Sequence, residues 1–157
     1  MSQQAFQDCY PEELSHCYGC GVNNAKGHQL KSYWLDEESG ETIAHFTPKA
    51  CHTAVPGFVY GGLIASLIDC HGTGSASAAA YRAEGRVIGS DPALRFVTGA
   101  LNVSFLAPTP LGVELTLHGR ITEIKERKVI VEITLLANDI TCVKGSVVAV
   151  KMPATMG

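Results

Sequence analysis

Residues 60–80 read YGGLIASLIDCHGTGSASAAA, and this stretch decides the fold. Leu63, Ile64, Leu67 and Ile68 come at helical spacing, and a train of alanine, serine and glycine follows them. Small residues let other backbones approach a helix closely, so the composition predicts a helix over 61–80 that is buried all round. Gly72 and Gly74 mark the points at which such a helix is weakest.

One formal charge interrupts the apolar run. Between Lys49 and Arg82 the only Asp, Glu, Lys or Arg is Asp69. Burying a carboxylate is costly unless partners offset the lost hydration, so this residue needs a reason. Taken alone, it fits a structural acid pairing with a neighbouring loop as well as it fits a general base or nucleophile. Tyr60-Gly61-Gly62 opens the helix, and two glycines there leave backbone N–H groups unobstructed at the positive end of the helix dipole. Such donors suit an anion or a developing oxyanion. Gly61 and Asp69 are eight positions apart, which is about 12 Å along a helix axis, too far for both to reach one carbonyl. Two copies of the helix, antiparallel across a two-fold axis, would bring the glycine end of one to Asp69 of the other and create two equivalent sites.

Outward from the helix, residues 29–36 and 41–47 alternate polar and apolar around Glu38-Ser39-Gly40, the pattern of a hairpin of half-buried strands. Residues 48–57 read as a loop. After the helix, 93–107, 113–124, 128–137 and 140–151 are rich in Val, Ile, Leu and Thr, with turns at 108–112, 125–127 and 138–139. Two strands, one helix and four strands, with no βαβ alternation, predict an α+β fold: an antiparallel sheet of five to six strands around one long central helix. The chain is expected to form a single domain, 1–157, with residues 1–28, rich in turn formers, as a covering arm.

Length and charge narrow the function. The 157 residues are 46% hydrophobic and 17% charged with a net charge of −3, and the basic residues are scattered, so no nucleic-acid partner is expected. No apolar run spans a bilayer, and MSQQAFQDCY lacks a basic start followed by an apolar core; a cytoplasmic protein with no membrane partner is expected. In that compartment the six cysteines read as reduced thiols. Cys17-x-x-Cys20 lies beside His16, but zinc wants two more ligands, and His28, Cys51 and His52 supply no second paired motif. The sequence therefore predicts a structural turn with two buried thiols, no metal and no cofactor.

PGFVYGGLIASLID (56–69), VTGALNVSFLAPTPLG (97–112) and CYGCGVNNAKG (17–27) resemble, in turn, the helix signature, the following long strand and the arm of hotdog-fold thioesterases of the phenylacetate-degradation type. The resemblance implies hydrolysis of acyl-CoA thioesters by a homodimer, or a dimer of dimers forming a homotetramer. It implies that Asp69 is the catalytic carboxylate and that the Gly61 amide, helped by Gly62, polarises the thioester carbonyl. Thr73, one turn beyond Asp69, and Thr98, on the following strand, match hydroxyls that act near the carboxylate in relatives. The sequence departs from the pattern in three places. Tyr60 replaces the usual His, Thr53 or Ala54 stands where an Asn or Gln often positions water, and Ala107 replaces an Arg. Tyr60 and His52 are then the candidates for contacting substrate from the preceding loop.

Two other readings compete. A hydratase or dehydratase of the same fold would want a histidine and an acid converging on the acyl chain; His71, two residues from Asp69, faces another side of the helix and reads as a packed histidine. A non-catalytic acyl-CoA-binding module would retain the pocket without turnover.

Overall fold

Glycine, alanine and serine allow a helix and a sheet to approach more closely than larger side chains permit, and the architecture is built on that approach. In the computed structural model, which describes residues 3–156, helix α1 runs unbroken over Gly61–Ala83. Met1 and Ser2 of the expected arm, and Gly157, lie outside the described residues. The strands are β1 (Ser32–Asp36), β2 (Glu41–Phe46), β3 (Phe96–Phe105), β4 (Leu115–Ile124), β5 (Lys128–Ala137) and β6 (Ile140–Lys151). They form one six-stranded sheet in the order β1-β2-β4-β5-β6-β3, with every neighbouring pair antiparallel. This is the hotdog fold, α+β, with α1 lying against one face of the sheet.

That face follows the period of two. Val129, Val131, Ile133 and Leu135 of β5 stand opposite Ala149, Val147, Gly145 and Val143 of β6, and all of these residues are buried. A Cβ added at Gly72 of the helix would lie 2.5 Å from a Val147 methyl, and one at Gly145 would lie 2.6 Å from Ile68. Each glycine thus receives a side chain from the facing element, which locks α1 in both rotation and height.

Several boundaries differ from the sequence reading: β2 stops at Phe46 rather than 47, β3 spans Phe96–Phe105 rather than 93–107, and β4 starts at Leu115 rather than 113. Two further differences have a local cause. The first strand starts at Ser32 rather than 29, because Gln29 adopts a φ of 53° and its amide donates to the Val22 and Asn24 carbonyls of the arm. The helix runs on to Ala83, where Gly85 takes a φ of 66°; its N–H donates to Arg82 O, and the Arg86 N–H donates to Tyr81 O at 2.9 Å. This paired closure is a Schellman motif, which needs a residue free to enter the left-handed region.

A buried polar chain crosses the fold beneath the arm. The Gln7 amide donates to Ser32 Oγ, and Ser32 Oγ lies 2.8 Å from His71 Nδ1. On the other side of the ring, Nε2 is 3.1 Å from Thr42 Oγ1, which in turn lies 2.8 Å from Ser75 Oγ. A neutral imidazole, donating from one ring nitrogen and accepting at the other, satisfies the chain. Phe6 and Gln7 anchor the arm, and a Cβ at Gly74 would meet the Gln7 amide, so this helix glycine makes room for the arm. Among the described residues no helix is long and apolar enough to cross a membrane.

Burial, reinforced by the nearby His118, pushes His71 down to about 3 from its usual 6.5. Between those two values the unfolded chain binds a proton that the folded chain refuses, so this group's contribution is present above pH 6.5 and is lost as pH falls toward 3. Wild type should therefore lose stability on acidification faster than His71→Gln, by a few kcal/mol at most, as read from denaturant midpoints across that range. Equal slopes for the two proteins would show that His71 keeps a proton in the fold. Separately, Gly72→Ala should destabilise by about 1–3 kcal/mol despite alanine's better helix propensity, because its methyl meets Val147 head-on.

Candidate active site

The helix start is held by a loop that folds back on itself. The Tyr60 N–H donates to His52 O at 2.9 Å, and the Val59 N–H donates to Thr109 O at 2.8 Å, so the chain enters α1 pinned on both sides. Tyr60 has an extended ψ of 129° as the capping residue. Gly61 and Gly62 are the first two helical residues, and their N–H groups have no intrahelical acceptor. The two glycines face different neighbours. A Cβ at Gly61 would lie 3.5 Å from the Phe105 ring, an ordinary contact, whereas one at Gly62 would collide with the ring and hydroxyl of Tyr60. Tyr60 itself is 57% exposed, and its ring stands where a side chain at position 62 would project.

Two clefts flank this start. An apolar cleft of about 610 Å³ lies beside Gly61, walled by Val55, Phe58, Ile64, Phe105 and Leu106. On the opposite side a cleft of about 420 Å³ is lined by Tyr18, His28, His52, Tyr60, Gly62 and Ser66. The His52 ring packs against His28 and Phe46, and its Nδ1 accepts the Lys49 N–H at 2.9 Å, which leaves Nε2 as the nitrogen carrying the proton.

Asp69 sits two turns along the helix from this start. The Thr98 hydroxyl donates to its Oδ1, joining α1 to β3. The structure thus brings together two residues that the sequence separates by 29 positions. Asp69 is not sealed in the core: it is half-buried, and Thr98 is exposed. The helix is enclosed over Cys70–Tyr81, while its first half is partly open to water, in contrast to the all-round burial expected from its composition. Thr73, one turn on, turns its hydroxyl back to the Asp69 and Cys70 main-chain carbonyls at 3.3 and 3.4 Å.

A bulge in β3 aims these groups. The register with β6 shifts between Thr98 and Ala100, leaving Gly99 as the extra residue. Before it, Phe96 and Thr98 face the helix; after it the alternation is reversed, and Leu101, Val103 and Phe105, paired with Val147, Gly145 and Val143, face the helix instead. One inserted residue therefore sends Thr98 to Asp69 and Phe105 to Gly61. Phe58 and Phe105, the aromatic walls of the apolar cleft, were not singled out by sequence. Placing Phe105 requires the bulge, for which the glycine at 99 was the one available signal. β3 is also an edge strand of the sheet, and apolar Leu101, Phe105 and Leu106 are exposed along it.

Comparison with known proteins agrees with this architecture. No curated protein matches the chain. Among solved structures, a thioesterase superfamily protein from Shewanella loihica is 57% identical, covering 90% of this chain and 97% of its own, with a TM-score of 0.68. The PaaI protein of the E. coli phenylacetic acid degradation operon shares the fold at 17% identity, covering 82% of this chain and 83% of its own, with a TM-score of 0.65. So does a Streptococcus mutans protein solved bound to acetyl CoA, at 17% identity over 78% of this chain and 88% of that one, with a TM-score of 0.62. The model of the thioesterase superfamily matches residues 56–144, more than half of the chain, and on that match together with the Shewanella identity the chain belongs to the thioesterase superfamily.

Proposed function

We propose that this protein hydrolyses acyl-CoA thioesters at sites shared between two copies of the chain. The observation that carries the reading is Asp69, fixed by Thr98 beside an unpaired strand edge, on the same helix as two free glycine amides that it cannot itself reach. Family membership supports the reaction class, and a neighbour of the same fold binds acetyl CoA.

In this reading two β3 edges, or the faces beside them, meet across a two-fold axis with their helices antiparallel. An edge strand offers unpaired N–H and C=O groups, and its exposed Leu101 and Phe105 supply apolar area for such a contact. The Gly61 N–H of one copy then polarises the thioester carbonyl, with the helix dipole behind it, and Asp69 of the other supplies the oxygen nucleophile. Asp69 does so either by taking a proton from water or by attacking the carbonyl to form an anhydride that water cleaves. The products are the carboxylate and free CoA thiol. Thr98 holds Oδ1 and leaves Oδ2 for the chemistry. Gly61 borders the apolar cleft, and Gly62 borders the cleft lined by Tyr60 and His52. The cleft wall of Val55, Phe58, Ile64 and Phe105 suits an apolar acyl group, and Tyr60 and His52 face the other approach.

Thiol release from a panel of acyl-CoA substrates tests the reaction. Asp69→Asn should lower kcat by roughly 10²–10⁴-fold, the range for loss of a positioned acid or base, with substrate binding retained. Gly61→Pro removes the donor while keeping a residue that helices accept at their first position, and should cost roughly 10²–10³-fold. Mixing and refolding these two inactive variants should restore about a quarter of wild-type activity, because half of the dimers formed are mixed and each mixed dimer has one intact site. No recovery in proven mixed dimers would rule out the shared site. No turnover of any acyl-CoA by wild type, with binding intact, would instead favour the non-catalytic module.

A further inference from the structure

The arm and the helix meet at three sulfurs. Cys17 and Cys20 lie in the turn Cys17-Tyr18-Gly19-Cys20-Gly21, and Cys70 projects from α1 one residue beyond Asp69. All three Sγ atoms lie within 4.8 Å of one another, and Cys17 and Cys70 are 3.9 Å apart. The sequence pattern offered only two of these thiols; the fold supplies the third from 50 residues further along the chain.

Several features of the surroundings are those of a ligand set. A tetrahedral ion with bonds of about 2.3 Å to sulfur has S···S edges of about 3.8 Å, so the Cys17–Cys70 separation is already that of one edge. The turn is tight: the Gly21 N–H donates to Cys17 O at 2.7 Å. Gly19 is required, because a Cβ there would collide with Cys70 Sγ. Cys20 and Cys70 are 1% and 5% exposed, while Cys17 is half-buried, which leaves one side of the cluster approachable.

Charge and an unpartnered group point the same way. Binding of a cation by three thiols releases their protons, so uptake depends on pH. The Tyr10 hydroxyl, close to the helix at Gly74, one turn beyond Cys70, is buried with no hydrogen-bond partner among the described residues. Arg95 stacks over the Tyr10 ring at 4.5 Å, and its charge favours the Cys20 thiolate. Three thiolates around a divalent ion leave one net negative charge, which Arg95 can offset.

We propose that Cys17, Cys20 and Cys70 form a three-thiolate site for a thiophilic divalent cation of the zinc class, with a water in the fourth position and the Tyr10 hydroxyl as its polar neighbour. The ion would clamp the arm to the helix immediately beside Asp69. Soft sulfur ligands in a tetrahedral arrangement select this class over magnesium or calcium.

The test uses the full chain, reduced under anaerobic conditions and titrated with cobalt(II) as a spectroscopic stand-in for zinc. Wild type should take up one equivalent, with thiolate-to-cobalt charge-transfer absorption and the intense visible bands of a tetrahedral centre, and zinc should displace it. Cys17→Ser and Cys70→Ala should each weaken uptake by more than the roughly 10–100-fold that loss of an outer-shell partner costs, while Cys51→Ser, outside the cluster, should bind as wild type. Circular dichroism of each variant separates loss of a ligand from loss of the fold. Reduced, folded wild type that shows no cobalt–thiolate absorption overturns the proposal. So does uptake unchanged by both cluster substitutions, or a Cys17–Cys70 disulfide that forms readily in protein already supplied with zinc.

Discussion

Val147 lodged against Gly72, and Ile68 against Gly145, set the rotation of α1, and the functions of the fold follow from that setting. Successive residues of a helix point about 100° apart, so one turn of a rotationally fixed helix distributes its side chains to different neighbours. Asp69 goes to Thr98 on the β3 edge, Cys70 to the arm thiols, His71 to the polar chain through Ser32 and Thr42, and Gly72 to Val147. A small rotation would spoil all four contacts together. The long run of small residues beyond Asp69 is therefore more than a means of burying a helix; it holds one turn in the single orientation that serves every neighbour.

Much of this was legible in the residues and the rest was not, for reasons that differ. The strand pattern gave the order of elements because β5 alternates throughout and β4 and β6 over most of their length, and a face buried on one side leaves little freedom of register. Asp69 stood out because it is the lone formal charge in a long apolar stretch. Its exposure was not legible, since composition cannot tell a core from a surface awaiting a partner. The Gly99 bulge inverts the facing pattern of β3 midway, so strict alternation along that strand misplaces Phe105. The thiol cluster was hidden for another reason: Cys17 and Cys20 form a local pattern, whereas Cys70 joins them only through the tertiary fold.

Tyr60 shows how a departure from the family pattern can be accommodated locally. Its ring occupies the space a side chain at 62 would take, so a glycine there lets the tyrosine keep this position. Gly61 borders the apolar cleft that Phe105 helps to wall. The two clefts that flank the helix start have different characters: apolar beside Gly61, and lined by His28, His52 and two tyrosines beside Gly62.

In the proposed assembly, folding, association and chemistry are linked by water. A lone chain leaves the Thr98–Asp69 pair partly hydrated and the β3 edge unpaired. A second copy laid against that edge excludes water from the pair, and hydrogen bonds and dipoles act more strongly in the lower dielectric that results. The same contact carries the partner's glycine amides to the carbonyl that the carboxylate must reach. The two halves of the machinery would then be completed by one event, because a rigid helix that separates donor from carboxylate within one chain positions them together only between two.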